Sequence, residues 1–348
     1  MQQCCKICRY YIPCSMTRRD LIKQGLMASV NLAVSHPLLS AISTTSMPEN
    51  NKFEVIILGG SYAGLSAAMA LGRSLRKVLI IDSGLPCNRQ TPHSHNFITQ
   101  DGEKPAAIAE KAKEQVLKYD TVRFLNGLAV AGNKTENGFR ISTQSGDSFE
   151  AKKLIVATGI KDTMPDLNGF ADCWGISVVH CPYCHGYELR NRKTAIMANG
   201  ERAFHITSLV RNLTGDLTVL TSGIADFKED QLAKLSRHHI QIIETPVVEI
   251  LHNKGYVKNI RFQDGSSMDV EGIYAAVPFT QHSDIPLSLG CTLTEQGYIQ
   301  IDGFQKTSVK GLFACGDNSS MMRSVANAVY TGNIAGAMVN KELTDEQF

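Results

Sequence analysis

Residues 53–65 read FEVIILGGSYAGL, and this stretch decides the fold. Phe53–Leu58 is a short apolar run of the kind a buried parallel strand requires. Gly59-Gly60-Ser61-Tyr62-Ala63-Gly64 follows, and a helical pattern then runs from Leu65 to Leu71. Gly59 permits a tight turn, Ser61 stands where a second glycine is usual, and Gly64 lets helix and strand pack closely. Backbone N–H groups at the helix start, over Ser61, Tyr62 and Ala63, can hold a pyrophosphate. The next apolar run, Lys77–Ile81, ends in Asp82, at a distance from which a carboxylate can bind a ribose hydroxyl. Strand, glycines, helix, strand and acid in this order predict a dinucleotide-binding α/β unit.

Chemistry enters at His180-Cys-Pro-Tyr-Cys-His-Gly186. Two thiols at Cys-x-x-Cys spacing can close a small disulfide and open it again. An adjacent imidazole changes charge near neutral pH, so His185 is the candidate for moving protons at Cys181 and Cys184. His180 is a weaker candidate, since a packed or exposed histidine would read the same way. Zinc is the alternative, but neighbouring ligands in so short a run close a tetrahedron badly. No second Cys/His cluster stands nearby in the sequence. No metal is therefore expected.

Further stretches carry a family resemblance. Leu154–Gly159 (Leu-Ile-Val-Ala-Thr-Gly) is another strand closed by a glycine, and Thr307–Asp317 reads as a strand ending in Gly316-Asp317. From Ser324 to Ala337 runs a helix of small residues. Together with residues 53–65 these resemble the flavoprotein disulfide reductases, over about Phe53 to Leu343. A cysteine pair placed after Ala157-Thr158-Gly159 resembles low-molecular-weight thioredoxin reductase. Cys-Pro-Tyr-Cys-His-Gly-Tyr-Glu (181–188) is similar to the thioredoxin reductase-like dithiol oxidases of the gliotoxin-oxidase type, which also carry histidine after the second cysteine. Asn96-Phe97 and Asp101-Gly102, near His93 and His95, and Pro278–Ser283 resemble segments of the same group.

The resemblance implies FAD as cofactor. It assigns to FAD binding Gly59, Ser61, Tyr62, Ala63, Gly64, Asp82, Asn96, Thr158 and Gly159, and near the C-terminus Gly316, Asp317, Arg323, Ser324 and Val325. It also implies that Cys184 faces the flavin while Cys181 exchanges with substrate. The partner would be a small dithiol or disulfide, or a thioredoxin-like protein, and the assembly a homodimer. The fold implied is α/β, two Rossmann-like three-layer domains, with the FAD domain split by an inserted NAD(P)-like domain that carries the dithiol. The segments are a partly disordered leader over 1–51, FAD halves over 52–163 and 284–348, and the insert over 164–283. The chain crosses between domains near 160–166 and 280–286, where Pro165 and Pro286 stand.

The insert's own nucleotide loop is degenerate. Strand Lys193–Met197 leads into Ala198-Asn199-Gly200-Glu201-Arg202-Ala203, which lacks the first glycine. After the strand Leu217–Leu220, Thr221-Ser222-Gly223 offers no carboxylate for a ribose and no arginine pair for a 2′-phosphate. Binding of NADP or NAD is expected to be weak or absent, with Arg202 as a remaining phosphate contact. Three rivals to a dithiol oxidase stay open: an NAD(P)H-dependent thioredoxin reductase, a ferredoxin-driven reductase, and a non-catalytic redox sensor.

With 348 residues the chain is long enough for two cored domains, and a formal net charge of +2 without a basic run argues against nucleic-acid binding. Thr17-Arg-Arg-Asp-Leu-Ile-Lys23 resembles a twin-arginine export signal. The stretch Leu26–Ile42 that follows is too polar for a membrane span, and Ala41-Ile42-Ser43 offers a cleavage point. The expected location is periplasmic, or cytoplasmic if the arginine pair is incidental. Cys4, Cys5, Cys8 and Cys14 crowd the residues before Met16, which is an alternative start.

Overall fold

The computed structural model describes residues 48–348. The leader, with Arg18, Arg19 and the four N-terminal cysteines, lies outside them. Strand β1 (Lys52–Leu58) is buried over its last four residues and pairs in parallel with β2 (Val78–Asp82) and β6 (Ser148–Val156). Between β1 and β2 runs helix α1 (Tyr62–Arg73). Helix α2 (Pro105–Val116) leads to β3 (Val122–Asn126), and β4 (Ala129–Thr135) and β5 (Gly138–Thr143) form a hairpin that rejoins β6. The sheet order is β3-β2-β1-β6-β5-β4, which places the C-terminal ends of β1 and β6 side by side. Ligands of open parallel sheets bind at such strand ends.

After β7 (Ile160–Asp162) the chain enters a second body. It holds α3 (Phe170–Cys173), β8 (Val178–Val179), α4 (Pro182–His185), β9 (Thr194–Met197), α5 (Gly200–Val210), β10 (Leu217–Leu220), α6 (Glu229–Arg237) and β11 (Gln241–Ile243). An antiparallel meander of β12 (Val247–Asn253), β13 (Tyr256–Phe262) and β14 (Ser267–Asp269) precedes β15 (Gly272–Ala275). Strands β11-β10-β9-β15-β8 make a parallel sheet. The chain returns through β16 (Phe279–Gln281), which pairs antiparallel with β7, Phe279 opposite Asp162 and Gln281 opposite Ile160. The two crossings are thus one two-stranded ribbon. Pro286 lies beyond it, in the first turn of α7 (Ile285–Ser288), where a missing N–H costs nothing.

Within Thr307–Asp317 only β17 (Leu312–Ala314) is strand; it adds to the first sheet beside β6. Gly311, at φ +78°, breaks the run, and Thr307 Oγ1 donates to the Leu312 carbonyl instead. The last helix, α8 (Val325–Gln347), crosses α1 closely. A side chain at Gly332 would run into the Ala63 backbone, so the small residues of α8 are what permit the contact. Buried aliphatic residues on both faces of the first sheet, among them Ile57, Ile80 and Leu154, hold the frame, at roughly 1.5–3 kcal/mol each. Among the described residues no helix is long and apolar enough to cross a membrane.

Candidate active site

A cavity of about 890 Å³ opens at the C-terminal ends of β1 and β6, within the size range of cofactor sites. Its floor is the Gly59 turn. Gly59 has φ +98°, and a Cβ there would collide with the Ala157 carbonyl, so only glycine lets the two strand ends approach. Ser61 begins α1 without a side-chain capping bond, which leaves first-turn N–H groups available to a ligand. Asp82 Oδ1 accepts from Gly60 N–H at 2.8 Å and Oδ2 from Gly84 N–H at 3.0 Å, fixing the carboxylate at the mouth of the turn. Tyr62 and Ala63 line the cavity, as do Thr158 and Gly159. So do Gly316, Asp317, Arg323, Ser324 and Val325.

Two expected contacts fall elsewhere. Gly64 lies outside the lining because it is packed against the Gly59 carbonyl, where it serves helix–strand packing. Asn96 is also outside: at φ +58° its N–H donates to Asp101 Oδ1 at 2.7 Å and shapes a turn. Ser324 spends its hydroxyl on capping α8, accepting from Asn327 N–H at 3.1 Å.

Arg323 is more than a cofactor contact. Its guanidinium forms a bidentate pair with Asp162 at 2.8 and 2.9 Å, tying the ribbon between the two bodies to the start of α8. Asp317 adds a second carboxylate, 3.7 Å from Arg323 Nε. Burial opposes the arginine's charge, but the Asp162 bonds and the Asp317 field outweigh it and raise its pKa. Burial pushes the Asp317 carboxyl up, against the pull of Arg323.

The cavity fits a flavin dinucleotide. An uncapped helix start, a glycine turn that no Cβ could share, and a ribose-directed carboxylate stand together. Thr158 Oγ1 and His180 Nε2 are buried there without a partner, as groups awaiting a polar ligand would be.

The dithiol sits on the far wall. Pro182 starts the single turn of α4, and Cys181 is its N-cap, with Sγ accepting from Cys184 N–H at 3.2 Å. Cys184 lines the cavity, with Sγ 4.0 Å from the Arg323 carbonyl, whereas Cys181 lies outside the lining. Both are free, half-buried thiols. The hydrogen bond from the Cys184 thiol draws Cys181 down to about 7 against the cost of burial, helped by the N–H groups of Cys184 and Tyr183. The same bond, with burial, drives Cys184 far up.

His185 lines the cavity beside Cys184, both ring nitrogens buried and without partners. Burial holds its pKa down, with Glu188 pulling the other way. It is a neutral base, able to take a proton. His180 is stacked on Trp174, ring centroids 5.9 Å apart, and burial with the Arg323 charge holds it down to about 3. It stays neutral at physiological pH. Sequence reading missed the Asp162–Arg323 pair, whose partners stand 161 positions apart.

The second nucleotide loop is bonded to its own chain. Gly200 opens α5 at φ +60°, and Asn199, next to the Ala198 that stands for the first glycine, supplies a side-chain cap. Asn199 Oδ1 accepts from Gly200 N–H at 2.8 Å and from Asp226 N–H at 2.9 Å, while Nδ2 donates to the Ile224 carbonyl at 2.8 Å. Glu244 pins the same loop through Ala225 N–H at 2.7 Å. The Asp226 backbone packs over Gly200. Asp226 thus stands beside the helix start, where the Gly200 N–H is already bonded.

Residues 53–332 match the family model of the pyridine nucleotide-disulphide oxidoreductases. The chain belongs to that family. Within it, this oxidoreductase is 32% identical over 308 residues to thioredoxin reductase tcpT of Claviceps purpurea, covering 85% of this chain and 96% of that one. Thioredoxin reductase sirT of Leptosphaeria maculans is also 32% identical, over 306 residues, covering 83% and 93%. Among solved structures, an oxidoreductase from Agrobacterium tumefaciens superposes with a TM-score of 0.80 at 34% identity, covering 84% and 99%. HlmI superposes at 0.81 with 26% identity, covering 87% and 95%. The chain is a thioredoxin reductase-like flavoprotein disulfide oxidoreductase with FAD as its cofactor.

Proposed function

We propose that this oxidoreductase is a dithiol oxidase, fed with electrons through Cys181 and Cys184 and not by a pyridine nucleotide. The observation that carries the reading is the bonded start of α5. Asn199 takes up the Gly200 N–H and ties the 221–228 loop beside the helix start, which disfavours NADPH or NADH there, while the cavity facing Cys184 is open.

A substrate thiolate attacks Cys181 Sγ of the closed pair. The Cys181–Cys184 bond breaks, and Cys184 leaves with the electron pair. Burial disfavours a thiolate at Cys184, so it leaves better when protonated, and His185 supplies the proton it took from the incoming thiol. The second substrate thiol then attacks the substrate sulfur of the mixed disulfide and releases Cys181 as a thiolate. The product leaves as a disulfide, and the enzyme pair holds its two electrons. Bound FAD supplies the acceptor for that electron pair when the thiols close again, with dioxygen as the final oxidant. Gly59, the α1 start, Asp82, Thr158 and Asp317 would hold it, and Arg323 with Asp162 would keep Cys184 facing it.

The division into FAD halves 52–163 and 284–348 around a dithiol insert 164–283 belongs to the same reading. So do a small dithiol as substrate, a homodimer, and export by the Arg18-Arg19 leader, where NADPH is scarce. One observation favours NADPH-dependent reduction of a thioredoxin-like protein instead: the low proton affinity of Cys181 suits attack on a partner disulfide. Anaerobic titration of the flavin spectrum separates the two. Bleaching by a dithiol and recovery in air support the oxidase; rapid bleaching by micromolar NADPH overturns it.

A further inference from the structure

Beside the dithiol, one more histidine is held by a purpose-shaped turn. Residues 93–103 fold back on themselves, with Ser94 N–H donating to the Glu103 carbonyl at 2.7 Å and Gly102 N–H to the Ser94 carbonyl at 2.8 Å. Asn96, Thr99 and Gly102 all take positive φ. The result presents the His95 ring between two carboxylates from different bodies. His95 Nδ1 is 3.7 Å from Asp101 Oδ1 on its own turn, and Nε2 is 3.5 Å from Glu188 Oε1 on the turn that leaves α4. The ring is mostly buried, 20% exposed, while Glu188 reaches water at 41%. His95 and His185 both line the cavity.

We propose that His95 is a positioning residue of the dithiol centre, which through Glu188 exchanges protons between His185 and solvent. The proposal rests on the role given to His185 in the proposed function. The two substrate thiols give up two protons in each turnover, and neither nitrogen of His185 has a direct partner to which it could pass one. Burial weakens the hold of His185 on a proton most, while Glu188 strengthens it and His95 opposes it. The groups facing His95 are Asp101 and His93 on its own turn, the rings of the two histidines 6.5 Å apart, and Glu188 and His185 from the dithiol segment. His93 is held separately by the Gly102 carbonyl at 2.8 Å. Glu188 attracts the proton that His185 carries and stands in water, so the proton crosses between them by way of solvent, while His95 holds the Glu188 carboxylate in place at 3.5 Å.

The test uses the FAD-loaded full chain and its His95→Gln and Glu188→Gln variants, each first shown to keep flavin and melting temperature. Dithiothreitol turnover and the alkylation rate of the reduced dithiol by iodoacetamide are followed between about pH 6 and 8, where imidazole titrates. We expect His95→Gln to lose about tenfold in turnover at the lower end, with its pH profile displaced, and the double variant to lose little more than either single one. In His95→Ala, added imidazole restores turnover. Superposed profiles for His95→Gln and the parent, a loss that is uniform in pH and indifferent to imidazole, or additive losses, overturn the proposal. A parent enzyme inert to dithiols refutes the oxidase reading instead, and the alkylation profiles then decide the role of His95 alone.

Discussion

Replacing Asp162 by asparagine cuts the link between the inter-domain ribbon and the last helix. The pair it breaks is bidentate, at 2.8 and 2.9 Å, with side chains only 9% and 13% exposed. Breaking a buried ion pair by removing one partner costs about 3–5 kcal/mol. Asparagine keeps one acceptor oxygen, and Asp317 remains 3.7 Å from Arg323 Nε as a second counter-charge. The expected loss is therefore reduced to roughly 2–3 kcal/mol. At about 2 °C per kcal/mol for a chain of this size, melting should fall by about 4–6 °C with both proteins saturated in FAD. Dithiol turnover should fall as well, because the Arg323 carbonyl is where Cys184 rests. The double variant Asp162→Asn, Arg323→Gln should melt no lower than Arg323→Gln alone, since the two changes remove one interaction. Melting of Asp162→Asn within about 1 °C of the parent, or simple addition in the double variant, would refute the clamp.

Other outcomes follow from the same geometry. Iodoacetamide should label Cys181 with a midpoint at about 7, and Cys184→Ala, which removes the donating thiol, should move that midpoint upward. His180 has a lowered proton affinity in the folded state, so the unfolded chain binds the extra proton. Stability should fall as pH drops from about 6.5 towards 3, by up to roughly 4 kcal/mol, and His180→Gln should flatten that dependence in urea melts. Gly332→Val should force α8 from α1 at Ala63 and cost about 3 kcal/mol or more, read from the same melts.

The sequence was most legible where chemistry is local. The Gly59 turn, Asp82 and the Cys181–Cys184 pair are each contained in a few consecutive residues, whereas the β7–β16 ribbon joins residues more than a hundred positions apart. The Asn199 cap was less legible: the missing glycine was visible, but the cap depends on Ile224 and Asp226 folding back from a distant loop. The turn role of Asn96 was not legible, because a turn-forming asparagine at positive φ and a ligand-binding one look alike in a sequence. Glu188 and His95 meet only through the packing of the two bodies, a contact that no spacing encodes.

In the proposed reaction electrons enter the flavin through the cavity-facing cysteine, Cys184. Anaerobic stopped-flow of the FAD-loaded protein with dithiothreitol, for the parent and Cys184→Ser, tests this most directly. The parent flavin should bleach and Cys184→Ser should stay yellow. Bleaching of Cys184→Ser at the parent rate would contradict the account.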